Sequence, residues 1–144
     1  MSQVVGRARI ALILVFALVL AACGGTASNI TPIGPRVINV ALQEFGFQPA
    51  EIPVKVGQPV KIILKNNGTV THDFSSTDAM VTVMNSQGAM HDMDNMNLMM
   101  HAAVEAGQSG SIEFTPTQAG TYTFWCTVAG HKEAGMVGKL VVTP

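Results

Sequence analysis

From Arg36 onward the chain is written in short alternating runs. "RVINVAL" (Arg36 to Leu42) steps between apolar and polar residues, and "PVKIILKN" (Pro59 to Asn66) is a β-branched run that ends at the turn "NNG". "SGSIEFTP" (Ser109 to Pro116), "GTYTFWC" (Gly120 to Cys126) and "MVGKLVVTP" (Met136 to Pro144) follow, separated by "PTQAG" and "AGHKEAG". A period of two places alternate side chains on opposite faces of a strand, and short strands punctuated by Gly and Pro predict an all-β, antiparallel sandwich or barrel. A parallel sheet would call for crossover helices, which this pattern lacks.

One stretch departs from the alternation. "DAMVTVMNSQGAMHDMDNMNLMMH", Asp78 to His101, holds seven of the nine methionines and two of the four histidines. It reads as a long Met-rich loop excursion between strands, with a short helical turn at Asn95 to Met100. Long loops in compact domains are usually functional or disordered.

The N-terminus has a different pattern again. Arg7 and Arg9 precede the unbroken apolar run Ile10 to Ala22, whose 13 residues fall short of the about 20 that a membrane-spanning helix needs. That length suits the apolar region of a secretory signal. The run closes on "LAAC", and Leu20, Ala21, Ala22 and Cys23 resemble the lipobox of bacterial lipoproteins, which implies acylation at Cys23 and cleavage before it. An ordinary signal cleaved at a small residue, or an uncleaved anchor helix, is the alternative. The expected organisation is a signal peptide at 1–22, a flexible tether at 23–35 and one domain at 36–144. The tether "GGTASNITPIGP" is too poor in apolar residues to offset its own ordering.

Composition is globular, at 48% hydrophobic and 12% charged residues. Without Arg7 and Arg9, six basic residues face nine acidic ones, so the mature chain carries about −3. This argues against a nucleic-acid partner and leaves no polybasic segment for a membrane surface. Membrane attachment is therefore expected through the lipid, at the outer face of the cytoplasmic membrane or at an outer membrane or cell surface. A monomer is expected.

Export sharpens the meaning of the cysteines. Paired thiols usually become disulfides in such compartments, yet the chain has two cysteines, Cys23 and Cys126. With Cys23 taken by lipid, Cys126 has no partner, and a lone thiol there needs burial or a metal. It opens "CTVAGHKEAGM", which spaces Cys126, His131 and Met136 at equal intervals of five positions. Copper that cycles between Cu(I) and Cu(II) wants thiolate, thioether and imidazole donors, and two His, one Cys and a weak axial Met make a blue-copper site. A second histidine is offered by His72 in "NNGTVTHDF", directly after a turn. A structural zinc site would draw four ligands from Cys and His, where this chain puts Met in fourth place.

"NNGTVTHDF", "TPTQAGTYTFWCTVAGH" and "GMVGKLVV" resemble the cupredoxins, and the Cys-x4-His-x4-Met spacing is similar to auracyanin-like members more than to plastocyanin. The resemblance implies a Greek-key β-sandwich holding one type 1 copper, with His72, Cys126 and His131 as equatorial ligands and Met136 as the axial one. It implies a tyrosine corner at Tyr122, whose hydroxyl bonds nearby backbone. One residue departs from the pattern: cupredoxins commonly carry a donating Asn after the first His, and here Asp73 can only accept when ionised. The hydroxyl of Thr127 is a possible donor to it.

Four protein ligands leave no open coordination position, so an electron carrier is expected rather than an enzyme. A copper oxidase would call for a second domain or a second ligand cysteine. Redox partner proteins would dock transiently near His131, where Ala129, Gly130, Ala134 and Gly135 make a flat apolar surface and Lys132 and Glu133 bias orientation. The rival is a copper chaperone or store using the Met-rich excursion. There His91, Met93, Met96, Met99 and His101, with Met100 adjacent, suit a second Cu(I) site, unless the methionines are packing alone.

The lipobox predicts that Cys23→Ala moves the full-length protein from the detergent phase to the aqueous phase, or blocks its processing. Mass spectrometry of the mature N-terminus checks it: an unacylated end at any other residue would exclude the lipid anchor.

Overall fold

The computed structural model describes residues 34–88 and 97–144; the signal, Cys23, most of the tether, and His91, Met93 and Met96 of the excursion lie outside these residues. The described chain forms ten strands: β1 (Arg36–Gln43), β2 (Gly46–Gln48), β3 (Glu51–Lys55), β4 (Val60–Asn66), β5 (His72–Ser76), β6 (Val81–Gln87), β7 (Met100–Val104), β8 (Ser109–Pro116), β9 (Gly120–Trp125) and β10 (Val137–Thr143). They make two five-stranded sheets, ordered β2-β1-β4-β8-β6 and β3-β10-β9-β5-β7. This is the expected all-β sandwich.

Alternation fills the space between the sheets. Val60, Ile62 and Leu64 of β4, with Ile112 and Phe114 of β8, meet Ile52 and Val54 of β3, Leu140 and Val142 of β10, and Phe74 and Phe124 of β5 and β9. At about 25 cal/mol per Å² of apolar surface buried, this layer is the main stabilising contribution. Its aromatic centre lies under the chemically interesting residues. Phe74 and Phe124 stack at 4.3 Å between centroids, and Phe47 of β2 meets both edge-on, at 6.0 and 5.0 Å. Phe74 lies two residues after His72 and Phe124 two before Cys126, so the stack joins the two strands at that end.

The structure corrects the sequence reading in three places. The sheets are mixed, since β1 runs parallel to β4 and β3 parallel to β10. A strand in the opposite sheet does the work of the crossover helix that the sequence lacks: the chain leaves β1 and β2, runs through β3 in the second sheet and returns as β4. Second, β2 and β3 were not legible as strands. β3 is a sheet edge with Pro53 inside it, the position where a strand tolerates a missing N–H.

Third, much of the excursion is strand. β6 pairs with β8 at the edge of the first sheet, and β7 pairs with β5 at the edge of the second. The helical turn expected at Asn95 to Met100 is not formed in its described part, because Met100 opens β7 opposite Ser76 and Met99 N–H bonds the Ser76 carbonyl at 2.8 Å. β6 is paired on one side and exposed over nearly its whole length, and after Val83 its residues Met84 to Gln87 carry no apolar alternation to announce a strand. Elsewhere the tyrosine corner is present, with Tyr122 Oη donating to the Gln118 carbonyl at 3.1 Å.

Because the aromatic stack carries the core beneath His72 and Cys126, Phe124→Ala is expected to lower stability by about 3–5 kcal/mol. Met84→Ala on the exposed face of β6 should change it by no more than about 0.5 kcal/mol. Urea unfolding of the two variants checks the contrast.

Candidate metal centre

Two strand ends and one loop build the site. His72 is the first residue of β5, delivered by a loop that buried Asn66 pins from within: its side-chain amide donates to the carbonyls of Val70 and Val104 at 2.8 Å each and accepts the Gly68 N–H at 2.9 Å. Cys126 follows the end of β9. From there the loop to Met136 is folded by its own backbone: His131 N–H bonds Val128, Ala134 bonds Gly130, Gly135 bonds Lys132, and Met136 bonds His131. Gly130 and Gly135 take φ of 82° and 104°, which side chains disfavour. A final bond from Cys126 N–H to the Met136 carbonyl, at 3.2 Å, closes the loop.

The result brings three of the expected residues together. One ligand atom from each of His72, Cys126 and His131 lies within 4.8 Å of the others. Cys126 Sγ stands 3.9 Å from His72 Nδ1 and 3.5 Å from His131 Nδ1. A trigonal ion with metal–sulfur and metal–nitrogen bonds of about 2.3 and 2.0 Å separates those donors by about 3.7 Å, so the set is spaced for one ion. Met136 is fully buried at the foot of the same loop. His72 and Cys126 are buried, whereas His131 is partly exposed.

Asp73 explains how the two ligand-bearing segments stay together. Its carboxylate accepts the Thr127 N–H at 2.9 and 3.0 Å, the Thr127 hydroxyl at 2.7 Å and the Ser75 hydroxyl at 2.6 Å. The tie that an Asn would make by donating is made here by accepting, with the Thr127 hydroxyl as the sequence suggests. The Asp73 backbone N–H still points at Cys126 Sγ, at 3.4 Å.

The surroundings set protonation. Burial pushes the Cys126 thiol up to about 11, and the Asp73 carboxylate beside it adds to the effect. Burial, then the neighbouring His131, holds His72 below the usual imidazole range, which favours the neutral ring that a metal requires. The donor set, two imidazoles, one thiol and a buried thioether, fits one type 1 copper ion.

Of the second expected cluster, Met99 is 43% exposed and His101 is engaged elsewhere, its Nδ1 2.8 Å from the Ser75 hydroxyl. Two residues at the site were not read from the sequence. Glu44 and Phe45 form the tip of the β1–β2 hairpin, and Phe45 packs edge-on against His131 with centroids 5.5 Å apart. Phe45 does so at φ 61°, a strained conformation for a bulky residue.

Comparison with known proteins agrees with this geometry. Residues 10–142 match the Cupredoxin-like domain family. The chain belongs to the cupredoxins. It is 36% identical over 113 residues to the copper-resistant cuproprotein CopI of Rubrivivax gelatinosus, covering 74% of this chain and 66% of that one. It is 30% identical to auracyanin-A of Chloroflexus aurantiacus over 153 residues, covering 92% and 94%. The solved structure of auracyanin A, a "blue" copper protein from the same organism, superposes with a TM-score of 0.59 at 27% identity, over 76% of this cupredoxin and all of that chain.

A thiol held to about 11 must lose its proton when a metal binds. Copper affinity of the metal-free protein is therefore expected to rise about tenfold per pH unit between pH 6 and 8 from this group alone. The sign for stability is opposite. Unfolded thiol ionises near 9 and folded thiol near 11, so between about pH 9 and 11, above the range where affinity is followed, the unfolded state holds fewer protons and the metal-free protein loses stability as pH rises. Cys126→Ser should remove this pH slope and the visible thiolate-to-copper band together; titration with a competing chelator and absorption spectra check both.

Proposed function

We propose that this cupredoxin is a single-electron carrier, exported and lipid-anchored at Cys23, that exchanges electrons with protein partners docking over His131. The supporting observation is the asymmetry of the donor set: Cys126, His72 and Met136 are buried, and of the four His131 alone is partly exposed. Copper held by four protein donors supplies one-electron chemistry with no open position for a substrate. The chain supplies the rest. Its self-bonded loop and the aromatic stack hold the donors in one geometry, which keeps reorganisation between oxidation states small.

The rim around His131 supports weak, short-lived docking. Phe45 is 51% exposed beside the ring, and Ala129, Gly130, Ala134 and Gly135 are exposed and small. Lys132 stands over the Trp125 ring at 4.2 Å, so its charge sits at the edge of this surface. No substrate chemistry is assigned to the protein.

Copper handling is the second reading, favoured by the similarity to a relative named for copper resistance. The two differ in what the metal does: a carrier keeps one ion and cycles it, whereas a handling protein takes up more than one or passes it on.

Cyclic voltammetry of the copper-loaded domain tests the carrier reading, with a reversible one-electron wave at one copper per chain as the expected result. Met136→Gln brings a harder oxygen donor, and should keep the ion while favouring Cu(II) about tenfold, a fall of ~59 mV for one electron. A second tightly bound equivalent, or an irreversible wave with release of Cu(I), would decide for copper handling.

A further inference from the structure

The side of His72 that faces away from Cys126 is enclosed by a second set of residues. With Nδ1 toward the sulfur, Nε2 points back toward the tip of the β1–β2 hairpin, and it is buried without a hydrogen-bond partner. A ligating histidine ordinarily gives its remote N–H to a carboxylate, a carbonyl or a water, and that partner fixes the tautomer and the ring's orientation. A carboxylate is close by. A Cβ placed on Gly68 would lie 2.7 Å from His72 Nε2 and 2.8 Å from Glu44 Oε1. The two atoms are thus at most about 5.5 Å apart, a gap that one bridging water can span. Only a glycine at position 68 leaves that gap open, and its φ is not of the left-handed kind, so space rather than backbone conformation is what the position requires.

Glu44 is not free to swing away. Its Oε1 accepts both the backbone N–H of Thr69 and the Thr69 hydroxyl, the latter at 2.9 Å. These bonds, the backbone one first, hold its carboxyl below the usual carboxylate range. The hairpin tip thereby meets both histidines, Glu44 behind His72 and Phe45 against the edge of His131. This gives the strained φ at Phe45 a structural purpose.

We propose that Glu44 is a positioning residue of the copper centre: its carboxylate, fixed by Thr69, faces the remote nitrogen of His72 across the gap left by Gly68. There it keeps the proton on Nε2 and the lone pair on Nδ1, and adds a fixed negative charge that favours Cu(II). The proposal rests on His72 being a copper ligand.

Glu44→Gln tests it, because the amide oxygen can still accept from Thr69 while the charge is gone. Glu51→Gln, on an exposed edge position of β3, is the control for a general surface charge. At low ionic strength, Glu44→Gln should reduce the preference for Cu(II) about threefold, ~28 mV upward at 59 mV per tenfold, and the shift should shrink in high salt. In the metal-free protein, the same variant should move the ring nitrogen resonances of His72. Gly68→Ala, which fills the gap, should move them too. Equal potentials for Glu44→Gln and Glu51→Gln, with His72 resonances unchanged in the metal-free protein, would overturn the proposal and leave Glu44 as a cap on the Thr69 loop. The metal-free measurement decides the Glu44 contact even if the domain fails to bind copper, so the two failures are distinguishable.

Discussion

The carboxylate of Asp73 is the constraint on which the site depends. β5 and β9 share a single registered pair, Ser75 with Trp125, so backbone ladders alone do not fix the end of one against the end of the other. Side chains complete the join. Asp73 takes both the N–H and the hydroxyl of Thr127, and the Ser76 hydroxyl donates to the Thr123 carbonyl at 2.7 Å. A buried carboxylate is costly unless its oxygens are satisfied. Here Thr127 and Ser75 satisfy both of them, and the aromatic stack of Phe74 on Phe124 holds the same two strands from the other face.

That constraint has a chemical consequence. Placing a carboxylate beside a desolvated sulfur raises the energy of the metal-free thiolate, so the metal-free protein keeps a thiol. Cys126, buried and without a disulfide partner among the described residues, is made less reactive in this way, since the thiolate is the reactive form. Metal binding then becomes an exchange of one proton for one cation. A cation held by the donors would offset the charge that disfavours the thiolate, so the electrostatics of the site favour a thiol when it is empty and a thiolate when it is loaded.

Much of the site was readable before any fold was known, and the reason is that its chemistry is local. Cys126, His131 and Met136 lie in one loop of fixed length, an unpaired thiol is conspicuous in a chain expected to be exported, and His72 follows a recognisable turn. The bond from Thr127 to Asp73 was also readable, because Asp accepts and Thr is the nearest hydroxyl to the cysteine. What escaped was non-local. Glu44 and Phe45 reach the site through a hairpin reversal far upstream, and nothing in "LQEFGF" distinguishes them from ordinary turn residues. Likewise β6 and β7 are strands because β8 and β5 lie beside them, against a sequence whose methionines suggest a loop. The parallel pairs escaped for a related reason: a crossover made of strand in the opposite sheet leaves no helical period to detect.

The two histidines, alike as donors, are placed in opposite surroundings, and this asymmetry bears on function more than the donor set does. His72 is sealed behind the hairpin tip, with its remote nitrogen turned into the protein. His131 stands half-exposed among small residues and one exposed phenylalanine. Electronic coupling to a docked partner would therefore run through one ligand and not the other. An ion leaving the site would have to break bonds to three buried donors behind that same ring. A surface that lets electrons pass more readily than metal ions suits a carrier better than a store.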